Sequence, residues 1–570
     1  MPTAPTGPTA PAGSAEYPTV PPPVVTVRDV VSAALLRDGR WRLLAAATAG
    51  FVLHQLGEAA VPVLVGIVVD RALAPGDPLL LAAGLGALAV TFLVLSLSYR
   101  WASRAMVDVF GIGEHALRRI GTARLLHPRG APTARSSGEV LSLVSSDSFR
   151  VAGIAWSVVE QTATLAAVLA GTAALLWISV PLGIGVLVTT VLVLVLMQRV
   201  ARPLEIRGLA EQRSAAAASA VATDLMTGLR TVQGLGGEDE AARRYREASE
   251  QARRGAVRAS RSLQLYSALS TAVSGLFLAV LAGGAGLLAW RGDITVGELI
   301  AVVGLGQFLR GSLDHVGTFG ANWMHKRASA RRMHAMIAEP PAVPGGTADA
   351  APADPAAPVL EWAPAGGAPL VVRAGELVGL RAPDTATARA AADRLALRVV
   401  PEPGELRAGG GDALDLGADA WRSRVLAVPH HDVLFTGTVR DNVRGRVPAD
   451  PDPAAAVGGP DIDPRIAAVA VLDDVLDRPG GPDAPVGEAG SRLSGGQRRR
   501  LLLARALHGA EQAGIPVVVL DEPATAVDPV TEHRIAGGLR SWCAGTDRAV
   551  VLVTASPALL AACDRVQDLR

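Results

Sequence analysis

Long apolar runs dominate the first 325 residues, and short ones alternate with helical patterns after them. Six runs, at about 43–69, 78–98, 153–177, 180–198, 266–290 and 296–317, each approach the ~20 residues a helix needs to cross a bilayer. Glycine and proline inside them are compatible with membrane helices. The pattern predicts an all-α transmembrane domain of six spans over 27–337. Short loops join spans 1–2, 3–4 and 5–6, whereas residues 99–152 and 199–265 form long connections. The long connections carry 8 and 12 arginines, against two in the short loops. The positive-inside rule therefore puts the long segments in the cytoplasm, with the N-terminus and everything past span 6. They are long enough to prolong the spans as helices. Residues 27–41 (VRDVVSAALLRDGRW) read as an amphipathic helix on the membrane surface. The Pro/Thr/Ala-rich tail, 1–26, reads as disordered and lacks the basic start and short apolar core of a secretory signal.

After span 6 the pattern changes. Residues 338–358 form a Pro/Ala/Gly linker. Over 359–570 the runs VLEW, LVVRAGELVGL, RVLAVP, VVVLDEP and AVVLVTA alternate with helical stretches. That alternation predicts an α/β domain with a largely parallel sheet.

Composition agrees with a membrane protein: 19% of residues are charged, below the ~25% of soluble domains, and mean hydropathy is +0.32. A net charge of +1 gives no whole-chain signal for nucleic acid. Two cysteines exclude a disulfide framework and a cysteine-rich metal site. The ten histidines show no chelating spacing, since His430-His431 is a dipeptide. Lys326 is the only lysine, and this arginine bias with abundant alanine and proline fits a GC-rich bacterial genome.

Two strings carry chemistry. Leu493–Gln497 reads LSGGQ, followed by RRRLLLARAL. A helix opening there offers Ser494, Gly495, Gly496 and Gln497 to a phosphate at its positive end. Residues 517–528 read VVVLDEPATAVD, the pattern of a buried strand delivering Asp521 to Mg²⁺ and Glu522 to an attacking water, with Asp528 closing the string. Arg498–Arg500 read as solvated helix surface or salt bridges, not as a nucleic-acid patch. In this order and spacing the chain resembles the ABC transporter family, in particular an exporter-type half-transporter. Further stretches carry the likeness: VPVLVGIVVDRAL (61–73), SSGEVLSLVSSD (136–147), DLMTGLRTVQGLGGEDEAARRY (224–245), VPHHDVLFTGTVRDNV (428–443) and VGEAGSRLSGGQ (486–497). The resemblance implies two halves in a cell membrane, with ATP and Mg²⁺ sandwiched between nucleotide-binding domains. Each site then pairs one chain's Walker A with the other's LSGGQ. It also implies coupling elements near 125–140 and 210–235, the second reaching the partner's domain.

The sequence departs from that pattern at three places. Ala382-Pro383-Asp384-Thr385-Ala386-Thr387-Ala388-Arg389 stands where GxxxxGK[ST] should follow the strand ending near Leu380. Both glycines, the lysine and the hydroxyl residue are missing, and with them the close backbone wrap, the charge on the β/γ-phosphates and a Mg²⁺ ligand. Lys326 precedes the linker, so no realignment restores the lysine. His430, or His431 if the register slips by one, replaces the Q-loop glutamine, and Ala555 stands at the switch-histidine position. Trp362 is the one candidate for stacking on adenine, with a core role as its alternative. The damaged motifs are those of a chain's own ATP site, while LSGGQ, given to a partner, is intact. This resembles the degenerate member of a heterodimeric exporter whose partner, a different half-transporter, keeps its Walker A. Glu522 is preserved yet faces the altered segment.

Ionisable groups inside spans mark candidate substrate paths. His54 and Glu58 share one face of span 1, and Arg310 and Asp314 one face of span 6. The alternative for both pairs is internal polar glue. The sequence reading is thus a transporter subunit exporting a small molecule, lipid or peptide. A siderophore-type importer and a non-transporting membrane regulator remain as alternatives.

Overall fold

The computed structural model describes residues 26–127, 129–130, 133, 135, 137–343, 345–346, 357–430, 432–445 and 462–569. The predicted tail, residues 446–461, His431 and most of the 338–358 linker lie outside them. Contacts divide the described chain into two units, one of residues 26–122 and 135–338, the other of residues 123–134 and 339–569.

The first unit is helical. Its elements are α1 (Val27–Leu35), α2 (Arg40–Val68), α3 (Pro78–Leu125), the short α4 (Ser137–Ser142) and α5 (Ser148–Ala152), α6 (Ile154–Ile178), α7 (Val180–Thr227), the short α8 (Leu229–Gly234), α9 (Glu238–Arg291) and α10 (Val296–Ile337). Each predicted span falls on a long helix. Among the described residues, four helical stretches (Arg40–Leu73, Pro78–Leu125, Gly138–Ile178 and Glu238–Arg291) are long and apolar enough to cross a membrane. Val180–Thr189 and Val296–Leu309 are apolar but shorter within the described residues. The long connections do prolong the spans: α3 and α7 run for 48 residues each and α9 for 54. Leucine, valine and phenylalanine side chains such as Leu79, Val90, Phe92 and Leu97 point outward on α3, as they do where lipid replaces water.

The predicted surface helix is shorter than 27–41. A Thr26–Asp29 capping box starts α1, but Asp38 and Gly39 adopt left-handed backbone (φ 53° and 79°) and break the helix before Arg40. Its buried residues Val30, Ala33, Ala34 and Leu35 join a core cluster with Leu117, Ile154 and Met333.

The second unit is α/β. In chain order it holds β1 (Leu360–Trp362), β2 (Leu370–Val372), β3 (Leu377–Arg381), α11 (Thr385–Leu395), β4 (Leu406–Ala408), β5 (Gly411–Asp412), α12 (Ala413–Arg422), β6 (Val425–Val428) and α13 (Val439–Arg444). Then come α14 (Pro464–Val469), α15 (Asp473–Leu476), α16 (Gly495–Gln512), β7 (Val517–Asp521), α17 (Pro529–Cys543), β8 (Ala549–Val553), α18 (Pro557–Ala562) and β9 (Arg565–Asp568). Five strands form the predicted parallel sheet in the order β6-β7-β8-β3-β9. Val518 and Leu520 of β7 face one core cluster, Val517 and Val519 the other. Burial on both faces explains why this strand is an unbroken apolar run.

A second sheet, antiparallel and ordered β2-β1-β4-β5, was not foreseen. The β-type run LVVRAGELVGL is two strands in different sheets. Gly375 turns the chain at φ 82°, and Glu376 accepts from the Arg373 N–H at 2.9 Å. Residues 123–130 pack into this unit. The Arg124 guanidinium donates to the carbonyls of Glu339 (2.7 Å) and Gly130 (3.1 Å), and the Val343 N–H donates to the Arg129 carbonyl (3.1 Å).

Candidate functional site

The start of α11 is where a phosphate loop would lie. Only Ala382, Pro383 and Asp384 separate β3 from α11. Asp384 caps the helix: its Oδ1 accepts the Thr387 N–H at 2.7 Å, and its carbonyl accepts the Ala388 N–H at 3.1 Å. Thr385, Ala386, Thr387 and Ala388, which occupy the Walker A slot, are therefore already wound into a helical turn. The Thr387 and Ala388 N–H groups are committed within the chain, and the segment is short of the open glycine loop that wraps a phosphate. The backbone bond from Thr387 also holds the Asp384 carboxyl below the usual aspartate range, so it stays charged.

A cavity of about 1070 Å³ opens beside this turn. Asp384, Arg389, Asp393, Arg394, Asp521 and Glu522 are its charged lining. Four carboxylates thus face two guanidiniums. Of these, Asp393 pairs with Arg398 (2.9 Å) and Arg394 with Glu405 (3.0 Å). Ala382–Arg389 offers a triphosphate no lysine, and two of its N–H groups, those of Thr387 and Ala388, are already bonded within the chain.

At the end of β7, burial pushes the Asp521 carboxyl above its ordinary value. Its Oδ2 accepts the His430 N–H at 3.2 Å, and the His430 carbonyl accepts from Arg499 at 2.6 Å. The side chain of Arg499 is half-buried between these groups. Glu522 sits at φ 47°, a left-handed backbone that costs a side chain roughly 1 kcal/mol. Its carboxylate accepts the Thr554 hydroxyl (2.9 Å) and the Ala555 N–H (2.8 Å). Glu522 therefore ties the end of β7 to the loop after β8. Trp362, the candidate for adenine stacking, is instead a core residue. It is 6% exposed, its Nε1–H donates to Glu405 (3.1 Å), and it does not line the cavity.

The LSGGQ segment is arranged differently. Ser494 is the N-cap of α16, in a reciprocal box with Gln497: the Ser494 N–H donates to Oε1 (3.0 Å) and the Gln497 N–H to the serine hydroxyl (3.2 Å). The Gln497 amide donates on to Asp474 (3.0 Å), and Arg500 grips the same carboxylate (2.6 and 2.9 Å). Ser494 and Gly495 are exposed at the positive end of this 18-residue helix. A Cβ on Gly496 would lie 2.9 Å from the Ala526 carbonyl, so glycine is required for the close approach. Arg499 and Arg500 are drawn inward, while Arg498 is exposed.

Asp528 caps α17, accepting the N–H groups of Val530 (3.1 Å) and Thr531 (3.0 Å). Asp528→Ala is expected to cost about 1 kcal/mol, read as a lower unfolding midpoint of the purified chain; an unchanged midpoint would remove the cap from the account.

In span 1, His54 Nε2 lies 3.6 Å from Glu58 and Nδ1 lies 3.0 Å from the Leu95 carbonyl, so this pair is held within the helical unit. The side chains of Arg310 and Asp314 lie outside the described residues.

Residues 44–313 match the family model for the ABC transporter transmembrane region, and residues 392–525 match that for the ABC transporter domain. The chain carries an exporter-type ABC half-transporter. Its transmembrane region and ABC domain are fused. The domain match opens past Ala382–Arg389 and takes in LSGGQ, Asp521 and Glu522. The half-transporter is 30% identical to a multidrug efflux ATP-binding/permease protein of Mycobacterium tuberculosis over 95% of this chain and 45% of that protein. The chain thus spans about half the length of that relative. A mycobactin import ATP-binding/permease protein, IrtB, of Mycolicibacterium thermoresistibile is 29% identical over 64% of this chain and 63% of its own length. The fold matches a bacterial Atm1-family ABC exporter solved with ATP bound, at a TM-score of 0.73, 22% identity and 93% coverage of both chains.

Asp384, Thr554 and Arg499 were missed as site residues. An aspartate directly before a helical pattern is a cap signal that would have found Asp384. Nothing local marks Thr554, whose role depends on β7 and β8 lying side by side.

Proposed function

We propose that this half-transporter works with a different half-transporter, lending LSGGQ to the partner's ATP site while turning over no nucleotide at its own. The observation that carries this reading is the contrast between two helix ends. At α11 the chain's own aspartate fills the anion position. At α16 Ser494 and Gly495 stand exposed toward solvent, where a phosphate held by a second chain can accept the serine hydroxyl and the Gly495 N–H. Ser494, Gly495 and Gly496 bind that phosphate, and Gln497 holds the serine in place. The partner supplies the Walker A lysine, the Mg²⁺ ligands and the carboxylate that orients water. More than half of the mycobacterial efflux relative lies outside the match, enough for a second half.

Residues 123–130, packed into the ABC unit, serve as one coupling element. The turn around α8, where Met226, Leu229 and Leu235 are exposed, serves as the other and docks on the partner's ABC domain. The machine sits in the cell membrane with its ABC domain cytoplasmic and moves a small molecule, lipid or peptide outward. ATPase activity in nanodiscs tests this: none from the chain alone and clear turnover with a complementary half-transporter. Robust turnover by the chain alone would overturn it.

A further inference from the structure

Resting on the reading that the chain's own site is silent, we propose that Asp384 determines nucleotide specificity there, its carboxylate standing in for a phosphate and making the cavity reject nucleoside triphosphates. Four observations carry this. The carboxylate already occupies the Thr387 N–H at 2.7 Å, in the first turn of α11. The loop that would otherwise wrap a phosphate is wound into that turn, between β3 ending at Arg381 and α11 beginning at Thr385. The adjoining cavity is roomy enough for a nucleotide, so sterics alone do not keep one out. Its lining is net acidic, with Asp384, Asp393, Asp521 and Glu522 against Arg389 and Arg394. Each phosphate charge brought to this helix end meets a carboxylate already in place. The site is thus closed by its own anion and not merely weakened by the loss of a lysine.

The test separates charge from capping. Asn and Ser both supply an oxygen for the Thr387 N–H and remove the charge. The purified full chain in nanodiscs, as wild type, Asp384→Asn and Asp384→Ser, is titrated with ATP, ADP and adenosine by equilibrium binding. Both variants are expected to bind ATP at least about tenfold tighter than wild type, ADP by a smaller factor, and adenosine unchanged. Equal ATP affinity in all three chains overturns the proposal. So does an equal gain for adenosine, because that reports a reshaped cavity and not a lost charge. Failure of the underlying reading is a separate signal: ATP turnover by the wild-type chain alone.

Discussion

Ser494→Arg is expected to lower ATP turnover of the assembled transporter about 100-fold, the scale seen when one preorganised donor to a reacting anion is removed. The guanidinium would fill the space before the first turn of α16, where Ser494 and Gly495 are exposed. The serine's box with Gln497 would also go. The comparison variant is Glu522→Gln in this same chain. Its carboxylate is tied to Thr554 and Ala555 within the chain, so turnover should change less than about twofold while the β8 loop loosens. Steady-state ATPase of the reconstituted pair reads both. Strong inhibition by Glu522→Gln with little effect of Ser494→Arg would invert the assignment and make this chain's own site the working one.

Trp421→Ala should destabilise the ABC unit by about 3–5 kcal/mol, the range for deleting a buried tryptophan. Trp421 is fully buried, and its Nε1–H donates to the Leu395 carbonyl at 3.1 Å. It pins α12 to the end of α11. The loss should also reach the coupling segment. Asp419 of α12 faces His127 electrostatically, and the backbone around Leu416 and Gly417 approaches Gly346 so closely that no Cβ fits there. Thermal unfolding of the full chain measures the first effect, and ATP turnover of the pair measures the second. A drop in the unfolding midpoint without any loss of turnover would detach α12 from coupling.

The membrane half of the fold was legible because each span is a local property. A helix satisfies its own backbone, so apolar length alone marks it, and the six runs fall on the six long helices α2, α3, α6, α7, α9 and α10. The missing lysine is plainer still: the sequence holds one lysine, Lys326, and it stands outside Ala382–Arg389. The Ser494–Gln497 box is likewise local, three residues apart in one turn.

Other features required distant partners. The strands β4, β5 and β9 are two to four residues long, too short for an alternating pattern, and exist because neighbours supply their ladders. Trp362 became a core residue because β1 packs between β2 and β4. Glu522 acquired its hold on Thr554 and Ala555 because β7 and β8 run parallel in adjacent register. The sequence by itself therefore determined the spans, the signature helix and the absence of a phosphate lysine, all of which rest on local periodicity or composition. Tertiary structure alone set Asp384 beside an acidic cavity and bonded Glu522 to Thr554 and Ala555, because burial and distant hydrogen-bond partners depend on what the chain brings back from far along its length.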